Sequence, residues 1–231
     1  MHNRYIKYFL FLLLTTDLFL SVLFLKNGHT DTEKIFSLPV ISKTAGTPKY
    51  IALTFDDGPS RKYTPILLDG LKERGVHATF FLMGKNIEGE EDIVKRMSEE
   101  GHLIGNHSYE HIQLTKAGAK AVCEAVEHTQ EQIEAITGKR PEYIRPPYGD
   151  WNEELEEEIG MTPVLWSLDS LDWKLRNQKR IVKKVLKEAE DGDIILMHDI
   201  FDTSVSAALE LIDILQREGY TFVTADELMI D

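Results

Sequence analysis

Lys49-Tyr50-Ile51-Ala52-Leu53-Thr54-Phe55-Asp56-Asp57-Gly58-Pro59 is the stretch that decides the fold. An apolar run over residues 49–54 reads as a short buried strand, and two adjacent acids and a Gly-Pro turn end it. Helical apolar spacing follows at Thr64–Arg74, through Ile66, Leu67 and Leu71. The same alternation then runs to the end of the chain. Residues 78–82, 102–105, 143–145, 163–166, Asp193–His198 and 221–223 read as strands. Residues 87–100, 115–137, 178–190 and 204–218 read as helices, and Asn152 caps another that runs to Ile159. In the long helix over 115–137, Val122, Val126, Ile133 and Ile136 share a face, and Gly138 stands at its C-cap.

Strand–helix alternation implies a mainly parallel sheet. The polar motifs fall where the predicted strands end. They are Thr54-Phe55-Asp56-Asp57-Gly58-Pro59, His107-Ser108-Tyr109-Glu110-His111, Arg145-Pro146-Pro147-Tyr148-Gly149, Asp169-Ser170-Leu171-Asp172-Trp173 and Leu196-Met197-His198-Asp199. A (β/α) barrel gathers loops from the C-terminal ends of several strands into one pocket. An α/β fold of distorted (β/α) barrel type, with one catalytic domain over residues 49–231, is the expectation. An open doubly wound sheet would gather such loops only near its switch point.

The bulk composition narrows the function classes. The chain has 231 residues, 42% hydrophobic and 28% charged, which allows one domain of about 185–200 residues with a sizeable core. A net charge of −13 argues against a nucleic-acid partner, which needs basic patches to neutralise phosphates. The run Glu153-Glu154-Leu155-Glu156-Glu157-Glu158 reads as a solvated helix face. Cys123 is the single cysteine, so no intramolecular disulfide forms; its place in a helical pattern suggests a buried structural thiol.

At the N-terminus, Arg4 and Lys7 precede an apolar run from Tyr8 to Leu25, and Lys26 follows. The run is close to the length of a spanning helix, and the leading basic residues favour an outward-facing domain. Residues 1–26 are read as a signal anchor, with a cleaved signal peptide or a buried soluble helix as the alternatives, and residues 27–48 as a linker. Asp17 counts against the span, since a mid-helix acid costs roughly 2.5–3.5 kcal/mol on insertion scales.

The motifs carry hydrolytic chemistry. His107 and His111 are four apart, the spacing that places two imidazoles on one face of a helical turn. Asp57 completes a two-His, one-carboxylate set with open positions for water and substrate. Two adjacent acids repel unless a cation sits on one. That leaves Asp56 as candidate general base toward a metal-activated water. His198, ending a buried strand, is the candidate general acid, with Asp172 orienting it and keeping it protonated. Arg145 is placed to pair with Asp56. The Tyr148 N–H can serve an oxyanion, whereas Pro146 and Pro147 have no N–H to offer. Trp173, Tyr148 and Leu196 are candidate pocket walls. The competing reading at each position is structural: turn capping for the acids, a plain ion pair for Arg145, core packing for the aromatics.

At these residues the sequence resembles the polysaccharide deacetylases of carbohydrate esterase family 4, the NodB-homology group, from about Tyr50 to Leu228. The resemblance implies a distorted barrel and a divalent metal, usually zinc, with cobalt or another divalent ion as alternatives. It implies hydrolysis of the N-acetyl group of N-acetylglucosamine-type sugars. By motif, Asp56 matches the base, Asp57, His107 and His111 the metal ligands, and His198 the acid. Arg145 and Asp172 match the residues that tune base and acid, and Tyr148 the oxyanion amide. An outward anchor makes peptidoglycan the first expected substrate; chitooligosaccharide, an exopolysaccharide or acetylxylan are alternatives. A non-haem iron oxygenase would use the same ligand trio but leaves Asp56 and His198 without roles. A non-catalytic wall-binding protein would have no need of them either.

Overall fold

A computed structural model describes residues 47–229. The expected anchor and nearly all of the linker lie outside the described residues. Among the described residues no helix is long and apolar enough to cross a membrane.

The strands are β1 (Lys49–Asp56), β2 (Thr79–Leu82), β3 (Leu103–Asn106), β4 (Tyr143–Ile144), β5 (Thr162–Pro163), β6 (Leu168–Asp169), β7 (Asp193–His198) and β8 (Tyr220–Val223). The helices are α1 (Thr64–Arg74), α2 (Gly84–Ile87), α3 (Glu91–Glu99), α4 (Ala119–Thr137), α5 (Glu153–Ile159), α6 (Asp172–Leu175), α7 (Gln178–Glu188) and α8 (Asp202–Arg217). Every strand pairing is parallel, in the order β5-β4-β3-β2-β1-β7-β6, and β8 joins the first half of β1. The sheet curls into a distorted barrel of the expected kind. Among the described residues β5 and β6 do not pair with each other, so the barrel wall stays open between them.

β1 is central and buried from Ile51 to Asp56, which explains why it reads as a near-continuous apolar run. One core layer packs Leu53, Phe55, Leu67, Leu71 and Phe80 against Ile195, Met197, Leu211 and Leu215. A smaller layer packs α4 and α5 through Val122, Val126, Ile144 and Leu155. Burying a residue such as Leu211 or Leu215 contributes about 1.5–3 kcal/mol relative to exposure.

Several expectations change. The helix expected over 87–100 is α3, which starts only at Glu91: Ile87 ends the separate short α2, and Gly89 with φ of +81° stands between them. The helix expected from 115 begins at Ala119, because Leu114–Lys116 forms a 3-10 turn first. β5 is Thr162–Pro163 and meets the strand expected over 163–166 at Pro163 alone, which offers no N–H to the ladder. β6 and α6 went unread: two and four residues carry too little periodicity to register. Cys123 is exposed, not buried. On α4 the buried stripe is Val122, Val126, Thr129, Gln130 and Ile133, and Cys123 lies one residue round from it, its thiol 3.5 Å from Glu158.

Candidate active site

Strand register sets the site. Asp56 at the end of β1 is the direct partner of His198 at the end of β7. Neighbouring strands lie about 4.8 Å apart, so a carboxylate and an imidazole meet at one level of the barrel mouth. On β7, Leu196 pairs with Asp169 of β6. Asn106, ending β3, pairs with both Leu82 and Ile144, which brings the His107 loop beside Arg145.

The loops are locally strained in a consistent way. Asp57, Ser108, His111, Tyr148 and Leu171 all have φ between +55° and +71°. Such conformations are uncommon outside glycine, and they cluster where surrounding structure over-determines them. Here that structure is visible. Asn86 Nδ2 donates to the Asp57 carbonyl at 2.7 Å, and the Ser108 N–H donates to Asn106 Oδ1 at 2.7 Å. Asn106 is itself anchored, since its Nδ2 donates to the Val126 carbonyl at 2.8 Å. The two histidines therefore meet through a bent loop with two left-handed residues, not across a helical turn as the spacing suggests. Gly58 is required at the first turn, because a Cβ there would sit 2.5 Å from Asp199 Oδ1.

Asp57, His107 and His111 each offer one ligand atom, all within 4.8 Å of one another. His107 Nε2 is 3.5 Å and His111 Nε2 3.8 Å from Asp57 Oδ1. His107 Nδ1 donates to the Arg145 carbonyl at 2.7 Å, so the tautomer with a bare Nε2 faces the carboxylate. Burial lowers the His107 pKa to about 3, against the pull of Asp57, and the ring is neutral as a ligand must be. Asp57 Oδ1 is buried with no hydrogen-bond partner among the described residues. A buried acceptor facing two imidazoles, one with a bare lone pair, is costly as it stands and favourable around a cation. The donor set of two nitrogens and one oxygen fits a divalent ion such as zinc, with positions left open.

Arg145 is fully buried beneath the mouth. Its NH1 donates to Asp56 Oδ1 at 3.0 Å and to Thr54 Oγ1 at 2.5 Å. Its Nε and NH2 donate to the carbonyls of Val164 and Leu165 at 2.9 and 3.2 Å, which the break beyond β5 leaves without strand partners. The guanidinium also stacks 4.3 Å above Phe81. Burial pushes the Asp56 carboxyl above its usual range; Arg145 and His198 oppose this without cancelling it.

Asp172, also fully buried, holds His198 twice. His198 Nδ1 lies 2.8 Å from its Oδ1, and the His198 N–H donates to its Oδ2 at 2.7 Å. Burial alone would lower the His198 pKa. The bond and charge of Asp172, with Asp56 and Asp57 beyond, outweigh that and push it up to about 9. The other sequence-predicted residues converge too. Asp56, Asp57, His107, His111, Tyr148, Trp173, Leu196 and His198 line one cleft of about 390 Å³. Tyr148 and Trp173 are exposed on its rim, Leu196 is buried in its floor, and the Tyr148 ring meets His111 edge-on at 4.5 Å. A larger hollow of about 600 Å³ opens at the other end of the strands around His102 and Tyr143, and among the described residues no metal-ligand trio stands there.

Sequence reasoning missed Trp166 and the role of Asp199. Trp166 lines the cleft and packs 2.9 Å from where a Gly149 Cβ would be. Asp199 is buried, takes a hydrogen bond from Thr64 Oγ1, and burial raises its pKa to about 7. It stood within a quoted motif, and only its contact with Gly58 reveals that it shapes the acid turn.

Comparison with known proteins returns the family described as polysaccharide deacetylase, matched over residues 43–164. A peptidoglycan-N-acetylglucosamine deacetylase of Listeria monocytogenes is 47% identical over 83% of this chain and 41% of its own length. A peptidoglycan-N-acetylmuramic acid deacetylase of Bacillus subtilis is 38% identical over 79% of this chain and 72% of its own. The structure of another Bacillus subtilis peptidoglycan deacetylase superposes with a TM-score of 0.77 at 45% identity, over 79% of this chain and 91% of that one. The chain thus spans about two fifths of the length of the Listeria relative.

Proposed function

Because this chain belongs to the polysaccharide deacetylase family, we propose that it hydrolyses N-acetyl groups of a polysaccharide, most directly the N-acetylglucosamine of peptidoglycan, releasing acetate. The observation that carries this reading is the side-by-side placement of a buried Asp56–Arg145 pair and a partly buried His198 on the buried Asp172, over one ligand trio. Peptidoglycan is favoured over chitooligosaccharide, exopolysaccharide or acetylxylan by the relatives' names. It also suits an outward-facing domain held by the N-terminal apolar run, which we propose as a membrane anchor.

In this reading Asp57, His107 and His111 hold the divalent ion, zinc by its donor set, which when bound supplies Lewis acidity at the acetyl carbonyl. Asp56 takes the proton from the attacking water, and its raised pKa makes it the stronger base. Arg145 fixes the carboxylate by its NH1 and leaves Asp56 Oδ2 toward the cleft. As the C–N bond breaks, His198 gives its Nε2 proton to the departing sugar amine, and Asp172 holds the imidazolium in place through Nδ1. The Tyr148 N–H, on a left-handed turn at the rim, donates to the developing oxyanion. Trp173 and Leu196 flank the sugar.

The test is acetate release by the zinc-loaded chain from peptidoglycan and from N-acetylglucosamine oligomers, beside Asp56→Asn. Acetate that disappears in the variant supports the reading, and undiminished release from Asp56→Asn overturns it.

A further inference from the structure

On a chain of net charge −13, seven cations fall within residues 172–188: Lys174, Arg176, Lys179, Arg180, Lys183, Lys184 and Lys187. Among the described residues only Lys184 forms an ion pair, with Glu188; the other six are exposed and face no carboxylate within 4.0 Å. This segment adjoins the cleft. α6 carries the rim residue Trp173, and Arg176 directly follows α6.

Arg176 is the member set most firmly. Its φ of +45° is unusual for a residue with a side chain. Its Nε donates to the Trp173 carbonyl at 2.9 Å, and its guanidinium carbon lies 3.1 Å from the centre of the Phe201 ring. That ring is 6.4 Å from the His198 imidazole. The two steps put a permanent cation within one screening length of the acid, ~10 Å at 0.1 M salt. The cleft acid Asp169 is already engaged: its Oδ1 accepts from the Leu171 N–H at 2.7 Å, and its Oδ2 lies 3.5 Å from the Trp173 indole nitrogen. Among the described residues its NH1 and NH2 make no hydrogen bond, and a planar carboxylate is the group that this terminal pair of donors matches.

We propose that Arg176, with Lys174, Lys179 and Arg180 behind it, binds a carboxylate carried on the sugar next to the one being deacetylated. The rim selects acidic glycans over neutral ones. The inference rests on the deacetylase reading and deepens it. It also offers a way for an acidic protein to engage an anionic polymer: residues 172–188 carry seven cations against two acids, Asp172 and Glu188.

The experiment compares wild type, Arg176→Gln and Arg176→Lys on three substrates. These are a peptidoglycan fragment with free carboxyls, the same fragment with its carboxyls amidated, and a neutral N-acetylglucosamine oligomer. Arg176→Gln is expected to raise KM on the free-carboxyl fragment roughly five- to tenfold with kcat unchanged, the size of one partly exposed charge-assisted contact. The other two substrates are expected to be turned over as by wild type, with Arg176→Lys intermediate on the first. An equal loss on all three, or no loss on any, overturns the proposal. Co-sedimentation of the same proteins with insoluble peptidoglycan, native or amidated, needs no turnover and separates this inference from the catalytic reading. Wild type held better than Arg176→Gln by the native polymer alone sustains the carboxylate site even if no acetate is released. Equal retention of both proteins rejects it.

Discussion

Asp172→Asn isolates what one buried carboxylate does to the acid. In the wild type His198 stands at about 9 against an ordinary 6.5, because Asp172 outweighs burial. That rise corresponds to about 3 kcal/mol in favour of the imidazolium. Without the charge, burial dominates, and the His198 pKa falls to or below its ordinary value. The sign for stability follows from linkage. A histidine whose folded pKa is raised contributes stability in full below pH 6.5 and loses it as pH rises through about 9. Asp172→Asn should therefore cost about 3 kcal/mol more at pH 6 than at pH 10. A second cost is independent of pH. Asp172 Oδ1 accepts from the Trp173 N–H as well as facing His198 Nδ1, and Oδ2 accepts from the His198 N–H. An amide nitrogen at either position meets a donor. The assay is the imidazole titration of His198 by NMR in metal-free protein, with urea unfolding at pH 6 and pH 10. A His198 pKa that stays near 9 in the variant, or a stability loss of the same size at both pH values, would refute this account of the acid.

Arg145→Met should unfold the domain at lower urea, by roughly 3–5 kcal/mol, because it strands the buried Asp56 carboxylate and two carbonyls; a loss below 1 kcal/mol would contradict the burial. Gly58→Ala forces a Cβ against Asp199 and should cost about 1–3 kcal/mol. Zinc binding by titration calorimetry should weaken with it, since the Asp57 turn must shift. His107→Ala should abolish one-to-one zinc binding while the fold, read by circular dichroism, persists. Cys123→Ser should leave stability within about 0.5 kcal/mol, the expectation for an exposed side chain.

The parts of the fold that were legible in the sequence are those whose burial has a period. β1 and β7 are apolar runs because both faces are covered, and α1 and α8 show one buried stripe each, although Ile66 of α1 lies outside its stripe and is exposed. The site was legible because its chemistry stands at strand ends, where a parallel barrel must bring loops together. What escaped was set by other forces. β6 and α6 are too short to show a period: the pairing of β6 with β7 and the Asp169 and Asp172 carboxylates on backbone N–H groups hold them instead. The His107–His111 spacing is indifferent to whether a helix or a bent loop joins the pair; only Asn106 and the left-handed Ser108 and His111 decide it. Cys123 was misplaced because a helix pattern fixes the buried stripe more sharply than its borders.

Arg145 reaches the two halves of the site through different atoms. Its backbone carbonyl orients His107, and its guanidinium grips Asp56. Ion affinity and base strength are therefore wired to one lever. A side-chain substitution here would loosen Asp56 and leave the carbonyl that holds His107, whereas a shift of the backbone would disturb both together. The same residue thus serves twice, by an atom that every amino acid shares and by one that arginine alone supplies.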